Sequence, residues 1–323
     1  MSGSIFYSDR VGRARQRVNE EVSANAWPGL VALIQARVRD SSLALAFPRR
    51  DCPVARDAIT GTDEDMFLDS LLAHIPDLEG RILEADAHVS TDAALDIVDF
   101  VALYIDQPTR RDFHSHFSHE HLLFRAHHAD PFHDELSPGQ ARFRDDIDLL
   151  FGRNGIAFTL GDDMRVRRLG PLEGRSLISD FMPNSGDRQL DAKLNDAMTR
   201  FLSRAPGDRR DALEKLWDAF EMVKYIESGG QTRNVKQSVA RLLDRAAPGP
   251  LRAELEAEFT ALNTIGNNFS IRHHGGQQQT LPTDAAVDYV FVRLASVIAF
   301  VLRQTGRLAW RPRQDYCGNV LHF

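Results

Sequence analysis

Cysteine is almost missing from this chain: Cys52 and Cys317 are the only two in 323 residues, and they form no CxxC pair. That count excludes a disulfide scaffold and a four-cysteine zinc site, and it fits a reducing compartment. Positive charge is short as well. Lys and Arg number 39 against 46 Asp and Glu, for a net charge of -7. The chain as a whole is therefore not built to hold a polyanion, and any contact with RNA or DNA must be local. Long apolar runs are also lacking. The first residues, MSGSIFYSDRVGRARQRVNEE, contain no apolar core and predict no secretory signal. The most apolar stretch, residues 287–302, carries Asp288 and Arg293, which reads as too short and too charged to span a bilayer. There is no internal repeat, low-complexity tract or HExxH motif. These absences predict a cytoplasmic protein with no membrane partner; no cofactor is expected and no metal ligand is assigned, with a zinc protein organised by the histidines of residues 114–133 kept as a third, weaker reading.

What is present is ordinary globular composition, 43% hydrophobic and 26% charged, in a chain long enough for two domains. The dominant periodicity is helical. Val18, Val22, Leu30, Ile34 and Val38 recur at helical spacing, interrupted at Trp27-Pro28-Gly29, so two helices or one broken at Pro28 are expected. Thr62-Asp63-Glu64-Asp65 and Ser90-Thr91-Asp92 stand where helix caps belong, ahead of runs through Leu71 and Ile75 and through Leu95 and Tyr104. Pro138-Gly139 leads a further helix that Asn154-Gly155 ends. Residues 156–160 and 164–169 then read as a short hairpin. The arginines at 10, 13, 15 and 17 suit a solvated helical turn, and Arg165, Arg167 and Arg168 suit an exposed edge strand. Residues 171–186 have the composition of a linker. After them come amphipathic helices over 189–202, 210–227, 235–245 and 251–262, with a last one capped by Thr283-Asp284. The fold class expected is mostly α: a helical N-terminal domain (1–180) holding the helix-plus-hairpin at 140–169, then a C-terminal helical bundle (181–323).

Two stretches are dense in chemistry. Residues 113–133 hold seven of the twelve histidines: His114, His116, His119, His121, His127, His128 and His133. Spacings of two and three could gather imidazoles around zinc. No cysteine stands beside them, however, and such clusters usually cover the surface of an amphipathic helix. The second stretch, residues 263–276, runs Asn-Thr-Ile-Gly-Asn-Asn-Phe-Ser-Ile-Arg-His-His-Gly-Gly and is expected to be a turn between helices. Arg272 offers two-point geometry to a phosphate. His273 and His274 can move protons near neutral pH, and Asn267 and Asn268 can orient a sugar or an imidazole. Asp218 and Glu221 share a face of the 210–227 helix and could meet this turn.

Residues 269–274, Phe-Ser-Ile-Arg-His-His, resemble the small-Ile-Arg-His turn that precedes the final helix of the HEPN superfamily, and more closely of abortive-infection (AbiJ-like) proteins of phage defence. Residues 208–221 are similar to the family helix with an early aspartate, an alanine-rich stripe and a late glutamate. The helix-plus-hairpin at 140–169 and the Phe6-Tyr7-Ser8-Asp9-Arg10 start look like the N-terminal half of such proteins. The resemblance implies an all-helical bundle, usually a homodimer, that cleaves RNA without metal. Arg272 would hold the scissile phosphate and a histidine would handle protons as the ribose 2′-hydroxyl attacks. The family places its catalytic histidine after four to six residues that follow the arginine, which in this chain puts Gln277, Gln278 and Gln279 there. His274 or His273 would have to take that part. The alternative is a non-catalytic module that dimerises or binds a partner, with Arg272 paired to Asp218 or Glu221.

Overall fold

Helix boundaries follow from side chains that satisfy the first free backbone N–H groups. Asp63 accepts from the Met66 N–H, Ser90 from Ala93, Asp187 from Gln189 and Leu190, and Thr283 from Ala286. Ser137 and Gln140 form a reciprocal capping box. The computed structural model describes residues 6–75, 78, 83–124, 136–205, 207–228, 234–269, 271 and 280–309. Of these, 54% are helical and 10% are strand, so the fold is mostly α. The chain divides into two compact units, Met1–Leu169 and Gly170–Phe323.

The first unit contains α1 (Tyr7–Arg10), α2 (Trp27–Arg39), β1 (Pro48–Arg49), β2 (Gly61–Thr62), α3 (Glu64–His74) and α4 (Thr91–Tyr104). It continues with β3 (Arg110–His114), β4 (His119–Leu123), α5 (Pro138–Asn154), β5 (Phe158–Leu160) and β6 (Val166–Arg168). Each consecutive strand pair forms its own two-stranded antiparallel sheet. Leu30, Ile34, Phe67, Leu71, Ile97, Val101, Phe143, Ile147 and Phe151 bring the apolar stripes of α2, α3, α4 and α5 into one core. Pro28 sits in the first turn of α2, where its missing N–H has no helical partner to lose, so it opens this helix rather than breaking one. Val18 stays exposed outside it.

Several arginines expected at the surface are built into the unit. Arg17 donates from Nε to the Ile156 carbonyl at 2.9 Å, from Nη2 to the Phe158 carbonyl, and pairs with Asp148 at 3.3 Å. Arg168 is only 3% exposed and pairs with Glu20 at 3.2 Å. Strand alternation accounts for it, since position 168 lies on the same face as the buried Val166.

The second unit contains α6 (Arg175–Ser179), β7 (Met182–Pro183), α7 (Arg188–Phe201), α8 (Asp208–Val223), α9 (Val235–Ala246), α10 (Pro250–Asn268), α11 (Asp284–Gln304) and β8 (Leu308–Ala309). Residues 171–186 are therefore not a linker. Ile178 and Phe181 belong to the core of this unit, and β7 pairs with β8, which draws 170–180 into the second unit. Phe201 and Phe291 stack with ring centroids 3.8 Å apart, joining α7 to α11. The helix expected at 251–262 runs on to Asn268, so the first part of the expected turn is helical. By length and composition alone α11 could cross a membrane, which differs from the sequence expectation. In this fold its Val287, Phe291, Leu294, Ile298 and Leu302 line the core.

One bridge between α10 and α11 gives the unit a defined acid response. Arg293 donates from Nε and Nη2 to the two carboxylate oxygens of Glu258 at 2.7 and 2.9 Å. These hydrogen bonds hold the Glu258 carboxyl below its ordinary 4.5. With the folded pKa depressed, the stabilisation is whole above 4.5 and is lost as pH falls through the folded value. Both side chains are about a quarter exposed, so the pair contributes no more than about 1 kcal/mol. Glu258→Gln is expected to lower neutral-pH stability by that amount and to flatten the acid limb of the stability curve, read from urea unfolding across pH.

Candidate functional site

The Arg-His-His stretch expected as the active centre, Arg272, His273 and His274, lies outside the described residues, as do Gln277, Gln278 and Gln279. Its two flanks are described, and they meet. Phe269 and Ile271 on one side and Thr280 and Leu281 on the other line a single cleft of about 110 Å³, floored by Arg210 and Leu213 of α8. Ile271 is 4% exposed and Leu281 is 9%, so both act as apolar anchors. The Arg210 guanidinium reaches the Leu281 carbonyl at 3.5 Å. Glu214 lines the same cleft, one helical turn after Arg210.

The approach of α10 to α8 has a local cause. At Gly266 an added Cβ would stand 2.5 Å from the indole ring of Trp217, so only glycine lets the two helices cross there. Beyond this crossing, Asn267 and Asn268 are exposed on the last turn of α10. Asp218 and Glu221 are already matched with cations. Asp218 accepts from Lys193 of α7 at 3.1 Å. Glu221 accepts at 2.6 Å from Lys224, which also donates to the Asn263 side chain at 3.0 Å.

The first unit holds a second constellation. The described part of the histidine-rich stretch is a hairpin and not a helix: β3 and β4 pair with His114 as the cross-strand partner of His119. Facing residues of an antiparallel pair project from one face, and so do residues two apart in a strand. His114, His119 and His121 therefore share a face, and His127, His128 and His133 lie outside the described residues. The sequence predicts no metal ligand because no cysteine stands beside these histidines; the fold supplies one. Cys52, 3% exposed, comes from the loop between β1 and β2, where the Ile59 carbonyl accepts from the Leu122 N–H at 2.8 Å and stitches that loop to β4. Cys52 Sγ lies 3.7 Å from His114 Nδ1, and the Nε2 atoms of His119 and His121 lie 3.2 Å apart. One donor atom from each of the four residues falls within 4.8 Å of all the others. Desolvation, then the neighbouring His121, His119 and His116, push the His114 pKa below its ordinary 6.5. The strand spacing His-x-His was the available signal in the sequence; the distant Cys52 left none.

Compared with models of known protein families, with curated proteins and with solved structures, the chain finds no match.

Proposed function

We propose that the second unit is a HEPN-like bundle and that the chain is a metal-independent endoribonuclease of abortive-infection, anti-phage defence, acting as a cytoplasmic homodimer on RNA. The observation that carries this reading is the cleft on α8, where both flanks of the segment bearing Arg272, His273 and His274 are anchored. The helical bundle and the resemblance of residues 269–274 add to it. With a net charge of -7, RNA is held locally, by this segment.

The chemistry needs no metal. Arg272 binds the two non-bridging oxygens of the scissile phosphate and offsets the charge that builds in the transition state. His274 or His273 removes the proton of the ribose 2′-hydroxyl. That oxygen bonds to phosphorus, the bond from phosphorus to the 5′-oxygen breaks, and the leaving oxygen takes a proton from a protonated histidine. The products are a 2′,3′-cyclic phosphate and a 5′-hydroxyl end. Asn267 and Asn268, exposed at the end of α10, orient the sugar or the histidines.

Gln277, Gln278 and Gln279 favour the second reading, a non-catalytic dimerisation or partner-binding module, because glutamine cannot serve as a base near pH 7. A mixed RNA pool incubated with the purified chain in EDTA separates the two. The nuclease reading expects fragments with cyclic-phosphate and 5′-hydroxyl ends. Intact RNA at high protein concentration leaves the binding module.

A further inference from the structure

We propose that Cys52, His114, His119 and His121 form a structural zinc site that fastens the β3–β4 hairpin to the loop between β1 and β2. Two observations converge on it. The first is geometry. Tetrahedral zinc holds imidazole nitrogen at about 2.0–2.1 Å and thiolate at about 2.3 Å, which sets nitrogens about 3.3 Å apart and sulfur about 3.5 Å from nitrogen. The His119–His121 separation of 3.2 Å and the Cys52–His114 separation of 3.7 Å match those values. All four donors fall within 4.8 Å of one another, so small side-chain rotations bring them onto one ion.

The second observation is what the hairpin lacks. Among the described residues, the hairpin buries Leu122 and the loop buries Cys52, but neither segment adds a side chain to the main core cluster of the first unit. Phe113 is 67% exposed, and Phe117 and Leu123 are exposed too. An isolated two-stranded hairpin is marginal in water. The Ile59–Leu122 bridge and scattered surface ion pairs do not replace a core. A metal coordinated from both segments supplies the missing stabilisation, because binding to preformed ligands is folding energy.

The donor set selects the ion. One thiolate with three imidazoles suits zinc and disfavours the hard, oxygen-seeking calcium and magnesium. Four protein ligands close the tetrahedron and leave no position for a reacting water, so the site is structural.

The test uses the full chain. Wild type, purified without chelator and dialysed, is expected to carry one zinc per chain by elemental analysis. The double variant His119→Ala/His121→Ala is expected to fall to background. Because that variant could lose the hairpin altogether, cobalt is exchanged into wild type as a spectroscopic probe. Tetrahedral d–d bands are expected together with a near-ultraviolet thiolate-to-cobalt charge-transfer band, and Cys52→Ser should remove the latter. Zinc at background in wild type, equal zinc in the double variant, or a cobalt spectrum without the thiolate band would each overturn the proposal. None of these outcomes bears on RNA cleavage, which concerns residues of the other unit.

Discussion

Trp217→Ala is expected to lower the stability of the second unit by about 4 kcal/mol, within the ~3–5 kcal/mol range for emptying a large aromatic site. Trp217 is 1% exposed and sits where α8 crosses α10, with Phe220 at 6.2 Å between ring centroids. The indole fills the space that Gly266 leaves, so the two positions are coupled. Gly266→Ala alone gains about 1 kcal/mol in helix propensity. It also forces a methyl to within 2.5 Å of a ring that has no room to retreat, at a cost of about 1–3 kcal/mol, so the net effect is destabilising. In the Trp217→Ala background the clash is gone and the added methyl occupies part of the cavity. The double variant should therefore be more stable than the sum of the single losses predicts, by about 1 kcal/mol or more. Urea unfolding of all four proteins measures this cycle, and strict additivity would refute the account of the crossing.

The second large effect concerns Lys224, a buried ammonium 8% exposed. Its environment is Glu221, the Asn263 side chain and the face of Phe220, 5.3 Å from the ring centroid. Glu221→Ala removes the anion and leaves the cation in place. Breaking a buried pair from one side costs about 3–5 kcal/mol. The Glu221 side chain is 23% exposed, which lets water share the burden and lowers the expected loss to about 2–3 kcal/mol. Lys224→Met keeps the volume but takes the ammonium away from the Glu221 carboxylate, so alone it too should destabilise, whereas combining it with Glu221→Ala removes both charges and should recover most of the loss. If Glu221→Ala instead unfolds like wild type while RNA cleavage disappears, Glu221 belongs to the reactive centre.

How much of this was legible in the sequence depended on whether the cause was local. Asp63, Ser90 and Thr283 act on backbone N–H groups three residues away, so these helix starts could be read directly. The mostly α fold and the 156–169 hairpin follow from the same short-range signals. Residues 171–186 misled because Pro171, Gly174, Pro183 and Gly186 look like punctuation, while Ile178 and the pairing of β7 with β8 depend on distant partners. The end of α10 misled for a related reason. Its asparagines face water, and its glycine serves Trp217, so a helical turn carries the composition of a loop. Arg17 and Arg168 look like surface charge until the strand and carbonyls that bury them are in place. The histidines at 114, 119 and 121 carried a strand signature in their spacing, but Cys52 joins them only through the tertiary fold.

The most direct test of the proposed function compares wild type with Arg272→Ala on the mixed RNA pool in EDTA, with thermal unfolding of both. The account predicts that cleavage falls by about 10²–10³-fold, the usual effect of removing one preorganised donor to a transition-state oxyanion, while the two proteins melt together. Equal cleavage by both, or a loss of cleavage that tracks a lower melting temperature, would contradict it.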